Sequence, residues 1–288
     1  MAEKVLTAKD YRTSVPNIWC PGCGDFGVLN AIHQAVAELQ IPPQDLAVIS
    51  GIGCSSRLPG YVSGYGFNTI HGRALPIATG VRLARPDLRV LVAGGDGDAY
   101  AIGAGHFVHT LRRNPNLTYI VMDNAVYGLT KGQGSPTAKL GEPTKSQPFG
   151  HSERPLNPLA WALSLGVTFL AQSFSANTKG LKELIVKGME HDGFALLNVK
   201  SPCVTFRGNQ EYNYYREHGW NFAEDGHDPH DLEAAWRVAK ETERVPFGLI
   251  WQDLESMSLD KQVELEREKY LTRRRYEHPD EVLENFYA

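Results

Sequence analysis

Four cysteines are spread over the 288 residues. Cys20 and Cys23 lie in WCPGCGDFGVL (19–29), Cys54 in GIGCSSR and Cys203 in SPCVTF. In a cytoplasmic chain a Cys-x-x-Cys pair is more often a metal or redox device than a disulfide. A second constellation consists of oxygen donors. Asp96 follows two glycines at the end of the apolar run RVLVAGG, and Asn124 ends the next run, LTYIVMDN, about 25 residues further on. A carboxylate oxygen from one and an amide oxygen from the other suit a hard cation, Mg²⁺ or Ca²⁺. Glycines around Asp96 let backbone amides approach a diphosphate, and a helix expected from Gly103 onward adds its positive end. Taken singly, GDGD reads as a tight turn and Asn124 as a turn residue; their pairing at successive strand ends favours a shared site.

Positioning such groups requires a regular scaffold, and the sequence alternates accordingly. DFGVLNAIHQAVAEL (25–39) has apolar side chains at helical spacing behind an aspartate suited to capping. LAVISGIG is a short buried strand, ALPIATGVRLA a helix, RVLVAGG a strand, GAGHFVHTLRR a helix and LTYIVMDN a strand. Residues 128–158, rich in Gly, Pro, Thr and Ser, are too polar for core and read as an ordered functional loop, because helix–strand alternation resumes beyond them. NPLAWALSLG, VTFLAQSF, NTKGLKELIVKGMEHD and FALLNVK then supply helix, strand, helix and strand. The expectation is an α/β fold, a mainly parallel sheet with helices on both faces, whose ligands sit at the strands' carboxyl ends. From 204 onward the chain is aromatic and charged, with helices expected at 229–243 and 258–276.

A net charge of −4, with both signs mixed along the chain, speaks against nucleic acid or an anionic membrane as partner. No apolar run is long enough to span a bilayer, and MAEKVLTAKDYRTSVPN lacks the apolar stretch of an export signal, so a cytoplasmic protein is expected.

The segment GDGDAYAIGAGHFVHTLRRNPNLTYIVMDN resembles the thiamine diphosphate motif. With WCPGCGDFGVL, GIGCSSR, HGRALPIATG, YGLTKGQ and SPC in order over roughly 15–210, the chain resembles the β subunit of 2-oxoacid:ferredoxin oxidoreductases, most of all those acting on 2-oxoglutarate. The resemblance implies a thiamine diphosphate-binding fold with Mg²⁺ held by Asp96, the Asn124 side chain and the Val126 carbonyl. It places Ile52, Gly53, Cys54, Ser55, His71, Gly97, Asp98, Gly128 and Leu129 against the cofactor. It also makes Cys20, Cys23, Cys54 and Cys203 the ligands of one 4Fe-4S cluster, whose sulfurs the neighbouring amides can bond. A structural zinc, unrelated thiols and a thioredoxin-like dithiol are the competing readings of the same cysteines.

The activity implied by the resemblance is reversible oxidative decarboxylation of a 2-oxoacid with coenzyme A, the electrons leaving through the cluster to ferredoxin. The glutamate that activates the thiamine ring lies in a pyrimidine-binding domain for which this chain has no room. A larger α subunit is therefore expected. Lys131, in YGLTKGQ, is the candidate to pair with the second carboxylate of 2-oxoglutarate, against a solvated loop lysine as the alternative. Pyruvate or broad 2-oxoacid specificity stays open, as does a non-catalytic iron–sulfur or zinc scaffold. The expected organisation is an N-terminal arm with the Cys pair (1–24), a thiamine diphosphate domain (25–203) and a C-terminal extension at a subunit interface (204–288).

Overall fold

The structure, a computed structural model, describes residues 5–144 and 146–273. Its centre is a seven-stranded sheet of β1 (Leu46–Ser50), β2 (Tyr65–Asn68), β3 (Arg89–Gly95), β4 (Leu117–Asp123), β7 (Phe169–Phe174), β8 (Phe194–Lys200) and β11 (Gly248–Gln252). The order across the sheet is β11-β7-β8-β4-β3-β1-β2. All neighbours are parallel except β11, which runs antiparallel to β7 along the edge. Between β4 and β7 lies a two-stranded hairpin, β5 (Val126–Tyr127) and β6 (Gln133–Gly134), and near the C-terminal end β9 (Gly219–Trp220) pairs with β10 (Val245–Pro246).

The strands are apolar on both faces because both are covered. On one face α1 (Asp25–Glu38) and α5 (Thr178–Glu190) pack Val28, Ile32, Leu181 and Ile185 against Val48, Leu91, Ile120 and Leu197. On the other, α2 (Ala74–Ala84), α3 (Ala104–Arg113), α4 (Pro158–Ser164) and α8 (Leu232–Ala239) pack against Ile49, Val92, Tyr119 and Leu196. Neighbours in one strand, such as Leu91 and Val92, thus serve opposite cores. Each fully buried Leu or Ile contributes roughly 1.5–3 kcal/mol. Two short helices, α6 (Val204–Arg207) and α7 (Gln210–His218), follow β8, and α9 (Leu259–Arg273) ends the described chain. Residues 274–276 of the expected last helix lie outside the described residues.

Two expectations need correction. Asp25 does not cap α1: Gly24 occupies the cap position, and the buried Asp25 carboxylate accepts a hydrogen bond from Ser201 Oγ instead (2.7 Å). The helix expected from Gly103 onward is found as α3, which starts at Ala104 behind Gly103, and a π-type turn from Gly97 to Ile102 precedes it. The 128–158 segment is not wholly outside the core, since Ser135, Ala138 and His151 are buried. The aromatic run on α7 packs within the chain, with Tyr212 and Tyr215 against Phe174 at 5.6 and 5.5 Å.

Candidate active site

The strand order turns between β1 and β3, the place where an open parallel sheet leaves a crevice at its carboxyl edge. From β1 the chain passes through Ile52 and Gly53 into a 3-10 turn opened by Cys54 and Ser55. From β3 it passes through Asp96 into the Gly97–Ile102 turn, which carries Asp98, and from β4 through Asn124 into the β5–β6 hairpin that carries Val126, Gly128 and Leu129. His71 comes from the turn before α2. All of these site residues border one cavity of about 90 Å³. Gly97 is required there by close approach: a Cβ would stand 2.1 Å from the Tyr127 ring, which shares the wall.

Asp98 works mainly inward. Its Oδ1 accepts from the backbone N–H of Ile52 (3.0 Å) and Gly72 (2.8 Å) and lies 2.5 Å from His71 Nδ1. One carboxylate oxygen thereby ties two chain segments, one at Ile52 and one at His71 and Gly72, to its own turn around the cavity, while Oδ2 is buried without a partner. Ser55 Oγ, on the cavity wall, is also buried and unpartnered. A buried hydroxyl of this kind is one that a bound polar ligand would satisfy.

Beneath the cavity floor is a polar network that the sequence did not reveal. Asp96 Oδ2 accepts from Ser135 Oγ and from Thr137 Oγ1 (2.5 Å), and Thr137 Oγ1 also lies 2.7 Å from Asp123 Oδ1. Lys200 Nζ donates to Asp123 Oδ2 (2.5 Å), as does Asn198 Nδ2 (3.2 Å). Burial, and then the Asp123 charge, push the Asp96 carboxyl up to about 7. Burial is the largest influence on Asp123 and acts in the same sense, but the Lys200 charge together with the hydrogen bonds from Lys200, Thr137 and Asn198 holds Asp123 below the ordinary carboxylate range. Asp96, Asn124 and Val126 all border the cavity and present carboxylate, amide and carbonyl oxygens, the donor set of a hard divalent ion. The Asn124 oxygen presently accepts from the Val126 N–H (3.1 Å).

Next to this cavity is a second one of about 300 Å³, bordered by all four cysteines, Cys20, Cys23, Cys54 and Cys203. Gly53, Cys54, Asn124, Gly128 and Leu129 belong to both walls. Three contacts fix the cysteine segments. Trp19 Nε1 donates to the Cys54 carbonyl (2.8 Å), the Cys23 N–H to the Cys20 carbonyl (3.0 Å), and the Gly24 N–H to the Pro202 carbonyl (3.1 Å). Gly24 is another close approach, because a Cβ would stand 2.5 Å from Ser201 Oγ and 2.8 Å from Pro202 N. Among the described residues no three His, Cys, Asp or Glu side chains form a ready metal-holding group, so the cysteines surround the cavity rather than converge in it. Burial first, then the nearby Asp25 charge, push the Cys54 thiol up to about 11; burial raises Cys23 and Cys203 as well. Half-buried thiols such as Cys23, Cys54 and Cys203 ionise when a metal centre supplies positive charge, as thiolate ligands require.

Asp25 borders the first cavity, and burial pushes its carboxyl up to about 6. Its only trace in the sequence is its place two residues after Cys23. Lys131 is exposed and borders the cysteine cavity, not the smaller one. Its φ of +84° is unusual for a side chain-bearing residue and sits at the hairpin tip, where its N–H donates to the Gly128 carbonyl (3.1 Å).

Comparison with known proteins accords with this geometry. Residues 51–199 match the thiamine pyrophosphate enzyme, C-terminal TPP binding domain family, and residues 203–268 match the family of the C-terminal part of the pyruvate ferredoxin oxidoreductase beta subunit. The chain is 44% identical over 266 residues to the 2-oxoacid:ferredoxin oxidoreductase 2 subunit beta of Aeropyrum pernix, covering 88% of this chain and 86% of that one. It is 43% identical over 194 residues to the 2-oxoglutarate synthase subunit KorB of Methanocaldococcus jannaschii, covering 67% and 72%. A solved structure of 2-oxoglutarate:ferredoxin oxidoreductase from Magnetococcus marinus, with 2-oxoglutarate, coenzyme A and succinyl-CoA bound, superposes with a TM-score of 0.92 at 43% identity, covering 98% of this chain and 96% of that one. The chain belongs to the β subunits of the 2-oxoacid:ferredoxin oxidoreductases, enzymes built here on a thiamine diphosphate-binding α/β fold.

Proposed function

We propose that the chain is the catalytic β subunit of a 2-oxoglutarate:ferredoxin oxidoreductase. The net reaction is 2-oxoglutarate + coenzyme A + 2 oxidised ferredoxin → succinyl-CoA + CO₂ + 2 reduced ferredoxin + H⁺, and it runs in either direction with the potential of the carrier. The single observation that carries this reading is the shared wall: five residues border both the Asp96 cavity and the cavity ringed by four cysteines. A site for decarboxylation alone has no use for four thiols one wall away.

Bound thiamine diphosphate supplies the electron sink for loss of CO₂. The chain's own groups set up its diphosphate end. Asp96, the Asn124 side chain and the Val126 carbonyl hold Mg²⁺, while Ser55 Oγ and the glycine-flanked amides near Gly53 and Gly97 receive the phosphates. Asp98 keeps the Ile52 and His71 segments in place around them. Cys20, Cys23, Cys54 and Cys203 hold one 4Fe-4S cluster, and the Cys54 segment, touching both cavities, is the short route between the two.

The pyrimidine end belongs to a larger α subunit. Ile52 (37% exposed) and Leu129 (54%) stand at the cavity wall, and Ile70 (78%) and Ile102 (54%) lie beside His71 and Gly72, an apolar rim suited to burial under a partner. For the substrate, the support is the printed names of the relatives and the 2-oxoglutarate bound in the Magnetococcus marinus structure. Broad 2-oxoacid specificity is the second reading, favoured by the naming of the Aeropyrum pernix relative and by the position of Lys131 on the cysteine-cavity side. Comparing kcat/KM for 2-oxoglutarate, pyruvate and 2-oxobutyrate in the anaerobic αβ complex decides between them. A preference for 2-oxoglutarate of about a hundredfold supports the proposal, and equal values support the broad enzyme.

A further inference from the structure

A groove of about 710 Å³ opens at the β7–β11 side of the sheet, between the carboxyl end of β7, one face of α5 along residues 179–187, and α7. Lys179, Lys187 and Arg216 border it, and Glu183 is the one carboxylate in its lining. All three cations are exposed, and among the described residues none is in an ion pair. This local positive charge runs against the −4 of the whole chain. The groove is also joined to the cysteine arm. Phe174, in its wall, stacks on Phe247 (6.0 Å) and meets Tyr212 (5.6 Å). Tyr212 donates its hydroxyl to the Gly22 carbonyl (3.1 Å), in the exposed loop between Cys20 and Cys23. The Arg216 guanidinium lies 5.8 Å over the same Tyr212 ring.

We propose that this groove and the adjoining Cys20–Cys23 loop form the docking surface for the electron acceptor, a small carrier protein that presents carboxylates around its own redox centre. The proposal rests on the reading of the cysteines as cluster ligands. Unpaired cations beside an exposed ligand loop attract such a partner over a distance and orient it with its centre toward that loop. The α subunit has a better claim on a different surface, the apolar rim of Ile52, Ile70, Ile102 and Leu129. An open groove with three unpaired charges lacks the composition of a permanent interface.

The test uses the anaerobically purified αβ complex carrying K179E/K187E/R216E. Three quantities are read against wild type: the Kd for an oxidised acidic ferredoxin by calorimetry at low salt, the size of the complex, and 2-oxoglutarate-dependent reduction of methyl viologen, a small dye that needs no docking surface. The expected result is a ferredoxin Kd raised about tenfold or more, with a flatter salt dependence, and complex size and dye reduction unchanged. If the triple variant folds poorly, K187E alone is expected to give a smaller shift in the same direction. An unchanged Kd overturns the proposal, and so does loss of αβ assembly, which would assign the groove to the α subunit. Absence of dye reduction in the wild-type complex is a different failure: it removes the oxidoreductase reading itself, and the docking surface with it.

Discussion

Thr137 has one hydroxyl proton and two carboxylate neighbours, Asp96 at 2.5 Å and Asp123 at 2.7 Å. It can donate to only one of them, so its place between the two is held by the rest of the network, Ser135 on Asp96 and Lys200 on Asp123. Removing the hydroxyl in Thr137→Val should loosen Asp96 as a cation ligand. A hydrogen bond to a charged group is worth about 1.5–3 kcal/mol, which sets the expected loss of Mg²⁺-dependent thiamine diphosphate affinity at roughly one to two orders of magnitude. Asp96→Asn should weaken cofactor binding further, with partial recovery in excess Mg²⁺, because the missing charge belongs to the metal. Fluorescence titration of the cofactor into the αβ complex reads both variants, and unchanged affinity would reduce GDGD to a turn. Asp96 and Asn124 were legible in the sequence because each ends an apolar run. Ser135 and Thr137 were not: they sit in a stretch whose composition is that of any polar loop, and only the fold brings them under β3. Lys131 stands between these cases. If it pairs with the distal carboxylate, Lys131→Ala should raise KM for 2-oxoglutarate about ten- to a hundredfold more than for 2-oxobutyrate. Alanine keeps the cost of the left-handed backbone at this position, so the comparison isolates the ammonium. Equal effects on both substrates would remove Lys131 from substrate recognition.

At the scale of elements, the turn at Gly97 depends on the hairpin above it. A methyl group at residue 97 collides with the Tyr127 ring, so Gly97→Ala should displace β5 and with it Val126 and Gly128. The expected outcome is a loss of cofactor affinity larger than the change in melting temperature, because β3 and β4 are anchored independently in both cores. Equal losses would mean that the turn supports the sheet and not the site. The six parallel strands include five that announce themselves as apolar runs. The two edge strands do not. β2, YGFN, is exposed throughout, and β11, GLIWQ, lies in a stretch whose aromatic and charged character hides a five-residue strand. An edge strand is defined by its partner, and β11 finds β7 more than 70 residues away, a pairing that local periodicity cannot report. The cysteine arm shows the same limit: four thiols could be counted, but their common cavity needed the Gly24–Pro202 bond that brings the 20–23 and 203 segments together.

On the proposed function the molecule as a whole carries half of an active site and, with its cysteines as cluster ligands, a complete electron exit. If the exposed apolar rim is covered by a partner that completes the thiamine site, the isolated chain should release no CO₂ from 2-oxoglutarate until the α subunit is added; robust decarboxylation by the chain alone would contradict the split site. No helix among the described residues is long and apolar enough to cross a membrane. On the proposed function the four cysteines hold a cluster that takes electrons from the neighbouring thiamine site. Electron paramagnetic resonance of the anaerobic αβ complex, frozen after mixing with 2-oxoglutarate and coenzyme A, reads this transfer. The expected result is a reduced 4Fe-4S signal that appears on addition of substrate and is lost in Cys203→Ser together with iron content. Substrate turnover with no such signal, or the same signal at full intensity in the Cys203→Ser complex, would contradict it.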